Sequence, residues 1–247
     1  MANAKRTALI TGAGQNIGKA CALALGEAGF NVVVNGRRDR EQCEAVVEAV
    51  KSLGPDATVS MGDVGSREGC EAVVKSGLDR FGRIDVLVHN AALRPSSPFL
   101  EMDEAEWHEI LNVNMNASFW LARVCLPGMV EAGWGRIINF AGMNAIHGYN
   151  GRAHVSTSKH GNWGLTKSLA KEFGGRGITA NLVSPGPIRP ENGDPAQLAH
   201  HKELLGRIPV GRLGEPSEVA AVVRLLASDE GAFINGQMLQ VNGGTMT

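Results

Sequence analysis

The chain has 247 residues, of which 43% are hydrophobic, enough for one α/β domain with a sizeable core. Its 24 lysines and arginines nearly balance 25 acidic residues, for a formal net charge of −1, so no basic face for nucleic acid is expected. The longest apolar runs are strand-sized, well short of the ~18 residues that cross a membrane, and residues 1–6 hold no signal-peptide core. The four cysteines lack C-x-x-C spacing and indicate reduced thiols. We therefore expect a cytoplasmic protein that binds neither nucleic acid nor membrane.

Strand-like and helix-like segments alternate along the chain. Strands are predicted at Thr7–Thr11, Phe30–Val34, Ala57–Met61, Ile84–His89, Ile137–Ala141, Ile178–Val183 and Gln237–Val241. Helices are predicted at Ile17–Gly29, Asp39–Leu53, Ser66–Phe81, Asp103–Met115, Ala117–Glu131, Ala153–Phe173, Ala196–Leu205 and Pro216–Ala227. Such alternation implies parallel strands joined by right-handed crossovers. We expect one doubly wound, Rossmann-type α/β domain over residues 1–247, with about seven parallel strands, helices on both faces and a ligand at the carboxyl ends of the strands.

A glycine-rich turn separates the first predicted strand from the first helix. Gly12, Gly14 and Gly18 would allow a tight turn and let backbone N–H groups approach a pyrophosphate at the helix N-terminus. Taken alone, this loop could equally be an ordinary strand-to-helix turn.

The loop T-G-A-G-Q-N-I-G at residues 11–18 resembles the T-G-x-x-x-G-x-G motif of the short-chain dehydrogenase/reductase family. Further likenesses follow in order: N-A-A at 90–92, N-V-N at 112–114 and S-P-G at 184–186. G-R-L-G-E-P at 211–216 and V-N-G-G at 241–244 are similar to the 3-oxoacyl-acyl-carrier-protein reductase branch. Asn16 and Ala92 stand where the family has glycine, and both are small or compatible with a turn.

The resemblance implies a bound nicotinamide dinucleotide. The cofactor-binding positions it implies are Gly12, Gln15, Asn16, Ile17, Gly18, Arg37, Arg38, Asp63, Val64, Asn90, Ala91, Lys159, Pro185, Gly186 and Ile188. After the second strand, Arg37 and Arg38 offer two guanidinium groups where an acidic residue would bind a ribose hydroxyl. NADP is therefore favoured over NAD, although the two arginines could also be a solvated charge run at the start of a helix.

The family's catalytic residues are only partly present. By resemblance, the family has a serine, a tyrosine thirteen residues later and a lysine four residues after that, together with an asparagine that anchors a proton-relay water. Lys159 and Asn114 match, but the serine and tyrosine positions hold Gly142 and Val155. Pro190 stands where the family has a threonine that steadies the nicotinamide. Because loss of general acid/base assistance costs about 10²–10⁴-fold in rate, the family's standard mechanism is disfavoured.

Four other side chains could replace the missing proton donor. His147 and Tyr149 lie in the loop expected to line the substrate pocket, and with Lys159 and Asn114 they form the predicted catalytic group. Ser158 shares a helix face with Val155. His154, one helical step of about 100° from Val155, is predicted to point away from Lys159 and to lie at the surface. Each of the four could instead be purely structural. The histidines and cysteines show no spacing typical of metal ligands, so no metal site is expected.

Residues 189–207 match the family's variable substrate loop, and we expect a mobile polar lid over a small-molecule substrate. Small residues on the helix from Ala153, such as Gly161 and Gly164, fit a subunit interface, and the resemblance implies a homotetramer.

Three functions stay open. The chain could be an NADP-dependent oxidoreductase for a carbonyl or alcohol with a reorganised proton donor. It could be a non-redox lyase, hydrolase or isomerase, or a catalytically inactive nucleotide-binding protein.

Overall fold

A seven-stranded parallel sheet forms the centre of the molecule. The structure, a computed structural model, describes residues 5–191 and 205–246, with the side chains of residues 144 and 145 left out. The strands are β1 (Thr7–Thr11), β2 (Asn31–Gly36), β3 (Ala57–Met61), β4 (Val86–His89), β5 (Gly135–Phe140), β6 (Ile178–Pro185) and β7 (Met238–Val241). They lie in the order β3-β2-β1-β4-β5-β6-β7, and all pairs are parallel. The predicted doubly wound α/β fold is confirmed.

Helices connect the strands on both faces of the sheet. They are α1 (Asn16–Glu27), α2 (Arg40–Ser52), α3 (Arg67–Phe81), α4 (Glu104–Leu111), α5 (Ala117–Ala132), α6 (Asn144–His147), α7 (Ala153–Phe173) and α8 (Pro216–Ala227). A π-helix, Asn112–Asn116, joins α4 to α5, and a 3₁₀ turn, Gly174–Arg176, follows α7. Three helices begin at residues whose side chains accept a backbone N–H, Asp39, Ser66 and Asp103, which satisfies N–H groups that lack a partner within the helix.

Two local predictions differ from the structure, and a third lies almost entirely outside the described residues. The single helix predicted over Asp103–Met115 is instead α4 followed by the π-helix. The loop predicted to contain His147 includes the helical turn α6. The helix predicted at Ala196–Leu205 and most of the predicted lid fall on residues 192–204, outside the described residues.

The core has two layers, one on each face of the sheet. Ala8 and Ile10 of β1 pack with α1, α2 and α8, whereas Leu9 between them packs with α3 and α5. Side chains of a strand alternate between its two faces, so a sheet covered on both sides needs uninterrupted apolar strands. The buried cysteines divide in the same way: Cys21 and Cys43 lie in the first layer, and Cys70 and Cys125 in the second.

Helix α7 packs closely on the π-helix. A side chain at Gly161 would place its Cβ 2.3 Å from Sδ of Met115, so this glycine permits packing within the chain. A subunit interface is therefore not needed to explain Gly161, whereas Gly164 faces open space. Among the described helices, none combines the length and apolar character needed to span a bilayer.

Candidate functional site

A cleft of about 580 Å³ opens at the carboxyl ends of the strands. It lies where β1 and β4 are neighbours, the switch point at which the chain turns from one half of the sheet to the other. Fourteen of the predicted cofactor-binding residues line it, namely Gly12, Gln15, Asn16, Ile17, Gly18, Arg37, Asp63, Val64, Asn90, Ala91, Lys159, Pro185, Gly186 and Ile188. Arg38 is exposed and does not line it. A second cavity of about 560 Å³, beside Arg6 and Arg224, contains none of the predicted site residues.

The glycine loop is closely packed against its own backbone. Gly12 has φ +61°, and a Cβ at Gly18 would lie 2.2 Å from the Gly12 carbonyl oxygen. Asn16 has φ +52°, and it is the one non-glycine with positive φ in the described chain. Asparagine tolerates this left-handed conformation better than most residues, which explains why it can replace a glycine here. The tight packing of the glycine loop fits the close backbone approach that the predicted cofactor requires.

Asn35 holds this loop against the rest of the sheet. Its side-chain amide donates to the carbonyls of Ser60 (2.9 Å) and Gly62 (3.2 Å). Its backbone carbonyl accepts from Ala13 N at 2.8 Å. The sequence alone does not mark Asn35, because a polar residue inside an apolar strand gives no direct sign of its partners. Asn35 is buried, and its hydrogen bonds reach both the glycine loop and the end of β3. It therefore fixes the position of the glycine loop relative to β3.

A carboxylate already lies at the N-terminus of α1. Glu191 accepts from the Asn16 backbone N–H at 2.8 Å and pairs with Lys19 at 2.5 Å. Lys19 and then the Asn16 N–H hold the pKa of Glu191 below its usual value. A helix N-terminus favours anions. The first residues after β6 therefore place a negative group where the sequence predicts a pyrophosphate.

At the outer end of the cleft, Arg37 forms an ion-pair cluster. Its Nε lies 3.0 Å from Asp63, and its terminal nitrogen lies 3.5 Å from Glu109. All three side chains are roughly half exposed, so these pairs contribute little to stability. Their effect is to hold the guanidinium at the cleft.

Lys159 lies at the inner end of the cleft. Its residue is 3% exposed, and its Nζ donates to the Phe140 carbonyl at the end of β5, at 2.9 Å. Burial, and then the positive charge of Arg94, lowers the pKa of Lys159 from 10.5 to about 7. Both effects disfavour the ammonium form. An amine with this pKa exists in both protonation states near neutral pH.

Asn114 is positioned by the π-helix but does not line the cleft. Its side chain closes two hydrogen bonds with the backbone of Leu93, at 2.8 and 2.9 Å, and donates to Ser158 Oγ at 3.3 Å. Asn162 donates to the Asn114 carbonyl at 2.6 Å. The Ser158 hydroxyl donates to the Val155 carbonyl. These buried groups form a structural network that joins α7 to the loop after β4.

The positions predicted for serine and tyrosine carry no hydroxyl. Val155 lies one turn before Lys159 on α7, is 1% exposed and does not line the cleft. Gly142 does line it, with φ +144° and no atom within 4 Å of where a Cβ would stand. A serine at this position would have room, but its backbone would have to adopt a conformation that side-chain-bearing residues avoid.

The other proposed proton donors lie elsewhere. His154 is fully buried and its Nε2 lies 2.9 Å from Glu106 of α4, so the prediction that it lies at the surface was wrong. His147 and Tyr149 are exposed and neither lines the cleft. Tyr149 lies beside it, with its ring centroid 5.3 Å from the Arg152 guanidinium. A catalytic role for either stays a prediction. Within the described residues, no cluster of three or more His, Cys, Asp or Glu could hold a metal ion.

Two arginines missed by sequence reasoning line the inner end. Arg94 follows β4 by five residues, and Arg152 is the N-cap residue of α7. Nothing in their spacing marks them, because Arg94 belongs to a loop and Arg152 precedes a helix. Their convergence depends on the neighbouring positions of β4 and β5 in the sheet.

Known proteins resemble this chain over nearly its whole length. A family model described as enoyl-(acyl carrier protein) reductase matches residues 12–246. The 3-oxoacyl-[acyl-carrier-protein] reductase of Staphylococcus aureus is 37% identical, covering 97% of both chains. The (2S)-[(R)-hydroxy(phenyl)methyl]succinyl-CoA dehydrogenase subunit BbsD of Thauera aromatica is 38% identical, covering 97% of this chain and 96% of that protein.

Solved structures show the same fold. A structure from Sinorhizobium meliloti 1021, provisionally described as a short-chain alcohol dehydrogenase, has a TM-score of 0.92 at 30% identity, covering 98% of this chain and 97% of the other. One from Beutenbergia cavernae, provisionally described as an NAD(P)-dependent gluconate 5-dehydrogenase with NADP bound at low occupancy, has a TM-score of 0.88 at 35% identity and the same coverage. Together with the strand order, the glycine loop and Lys159, these likenesses show that the chain belongs to the short-chain dehydrogenase/reductase family.

Proposed function

We propose that the protein is an NADP-dependent oxidoreductase that interconverts a small carbonyl compound and its alcohol, with Lys159 as the proton-transfer group. The observation that carries this proposal is the Lys159 amine at the inner end of the cleft, buried, with a pKa lowered to about 7. Relatives named as reductases and dehydrogenases support the class of reaction. NADP bound in the Beutenbergia structure supports the cofactor.

Residues that line the cleft would hold each part of the dinucleotide. The glycine loop and the N-terminus of α1 would hold the pyrophosphate, Arg37 a 2′-phosphate, and Asp63 with Val64 the adenine. Asn90, Ala91 and the segment Pro185–Ile188 line the cleft between these groups and Lys159. When bound, NADPH supplies the hydride for reduction and NADP⁺ accepts it in the reverse direction.

Lys159 has the properties that proton transfer requires. A carbonyl that gains a hydride becomes an alkoxide and must take up one proton on its oxygen. The Lys159 ammonium can give that proton and become a neutral amine, the form that burial favours. Acid/base groups work best when their pKa lies near the working pH. Among the described residues that line the cleft, Lys159 alone has a pKa lowered into that range.

The test replaces Lys159 with methionine, which keeps the length of the side chain and removes the proton. Reduction should lose about 10²–10⁴-fold in kcat, well beyond any change in the Kd for NADPH. In the wild type, kcat for reduction should fall as pH rises through about 7, because the ammonium form is consumed, while kcat for alcohol oxidation should rise.

The activities of Tyr149→Phe and His147→Ala should stay within about threefold of wild type. Loss of activity in either variant would assign the proton donor to that residue.

Two outcomes would reject the oxidoreductase assignment. Tight NADPH binding without hydride transfer to any member of a carbonyl and alcohol panel would indicate an inactive nucleotide-binding protein. Turnover of a substrate without binding of either dinucleotide would indicate a non-redox enzyme. A homotetramer, one domain over the whole chain, a lid at residues 189–207 and a cytoplasmic location stay predictions; sedimentation of the purified protein tests the tetramer.

A further inference from the structure

Two positive side chains stand beside Lys159 without a negative partner among the described residues. Arg94 and Arg152 line the inner end of the cleft. In the described part of the chain, no carboxylate forms an ion pair with either guanidinium, and Nε of Arg152 is buried with no hydrogen-bond acceptor. The one described contact of the Arg152 guanidinium is with the face of the Tyr149 ring. A buried N–H without an acceptor is costly, and none of the described residues offsets this cost for Arg152.

The charges around the inner end are unbalanced. Of the described residues lining the cleft, Asp63 alone carries a carboxylate, and it is paired with Arg37 at the other end. Arg94 is exposed to solvent, and its partial desolvation at the cleft, and then the charge of Arg152, lowers its pKa. The charge of Arg94 in turn adds to the effect of burial in lowering the pKa of Lys159. These three cations therefore act on one another. The dipole of helix α7 adds to the positive potential, because its positive end lies at the N-terminus of the helix. No acidic residue in the first turn and no side-chain bond at the N-cap offsets it.

We propose that the substrate carries a carboxylate that Arg94 and Arg152 bind, which directs its carbonyl or alcohol oxygen toward Lys159. Guanidinium groups bind carboxylates through paired, charge-assisted hydrogen bonds. The bound anion would satisfy the buried Nε of Arg152 and offset the repulsion among the three cations. Orientation of the reacting oxygen rests on the proposed oxidoreductase function, whereas binding of the carboxylate does not.

The first experiment compares 2-oxo acids with their methyl esters as substrates, in the presence of NADPH. The wild type should prefer each acid by about 10- to 100-fold in kcat/KM, the range expected for charged hydrogen bonds. Arg94→Met and Arg152→Met keep much of the side-chain length and should lose most of this preference. Arg67→Met is the matched control, because Arg67 is exposed on α3 and, among the described residues, forms its ion pair with Glu71 on the same helix. Equal kcat/KM for acids and esters in the wild type would overturn the proposal.

The second experiment measures binding without turnover. Succinate and its diamide are titrated by calorimetry into the wild type, both cleft variants and the Arg67 control. Succinate should bind more tightly than the diamide, and each cleft variant should weaken succinate about 10-fold or more. Arginine-dependent succinate binding without hydride transfer would support the carboxylate site while rejecting the oxidoreductase function. Hydride transfer without arginine-dependent succinate binding would support the oxidoreductase function and reject the carboxylate site. Tighter binding of inorganic phosphate than of succinate would overturn the assignment to a carboxylate.

A third measurement separates recognition from a purely structural role. Arg94→Met removes a positive neighbour of Lys159, so the pH at which kcat for reduction falls should move upward. Circular dichroism at each pH shows whether the variant is folded. An unchanged pH profile in a folded Arg94→Met variant would contradict the arrangement proposed here.

Discussion

At the scale of single residues, the backbone of Gly142 bears on the prediction that this glycine stands at the family's serine position. Its φ of +144° belongs to a region that residues with a Cβ rarely adopt. The backbone at the end of β5 has a conformation in which glycine is favoured. Restoring the serine therefore requires a change in the main chain as well as the side chain.

Gly142→Ser should accordingly lower the free energy of unfolding by about 1–3 kcal/mol through backbone strain, since nothing crowds the new Cβ. When combined with Val155→Tyr, it should also fail to raise reductase activity above that of the wild type. Urea unfolding gives the first value, and Gly128→Ser is the control, because Gly128 lies on the exposed side of α5 with open space around it. A stable double variant with high activity would show that the backbone adapts at little cost.

At the scale of elements, the turn between β2 and α2 separates two adjacent arginines. Arg37 faces the cleft and pairs with Asp63, whereas Arg38 is exposed outside it. The sequence could not distinguish them, because their order in the chain does not show how the turn leaves β2. The register of β2 and the buried Asn35 decide which of the two reaches the cleft.

Arg37→Met should therefore weaken NADPH binding by about 10- to 100-fold, the value of a charged hydrogen bond to phosphate, and leave NADH binding nearly unchanged. Arg38→Met should change neither Kd by more than about threefold. Fluorescence titration of each variant with both dinucleotides measures this. Tighter binding of NADH than of NADPH, with a ratio that Arg37→Met does not alter, would mean that the protein uses NAD.

Much of the fold could be predicted from the sequence, because uninterrupted apolar strands and capped helices encode a covered parallel sheet locally. The glycine loop could be predicted for a similar reason, since Gly18 is constrained by the Gly12 carbonyl six residues earlier, while cofactor binding there stays a prediction. The reacting end was harder to predict. Arg94, Arg152 and Lys159 come from segments far apart in the chain, and His147 and Tyr149 were favoured by their place in a loop whose direction the sequence does not specify.

At the scale of the whole molecule, a buried histidine makes stability depend on pH. His89 ends β4, where its Nδ1 lies 3.1 Å from Thr11 Oγ1 and its Nε2 has no described partner. Burial, and then the charge of Lys159, lowers the pKa of His89 to about 3, partly offset by the backbone carbonyls of Asn114 and Val113. As pH falls below 6.5, the unfolded chain takes up a proton that the folded chain excludes until about pH 3. Stability must therefore fall over this interval.

Between pH 7 and pH 5 this histidine should remove about 2 kcal/mol from the free energy of unfolding. His89→Asn should flatten the dependence over that interval, whatever its effect at pH 7. Urea midpoints at several pH values test this, with His108→Asn on the exposed face of α4 as the control. Equal slopes in wild type and His89→Asn would show that His89 is not the source of acid sensitivity.

The distribution of the cysteines makes the two faces of the sheet separately observable. Burial raises the pKa of Cys21, Cys70 and Cys125 to about 12 and also raises that of Cys43. In the native state these thiols should react with alkylating reagents only after local opening exposes them. Two of the cysteines lie on the inner faces of α1 and α2, and two on the inner faces of α3 and α5. Mass spectrometry of partly alkylated protein would therefore measure the rate at which each layer opens. Equal rates for the two pairs would mean that the molecule opens as one cooperative unit.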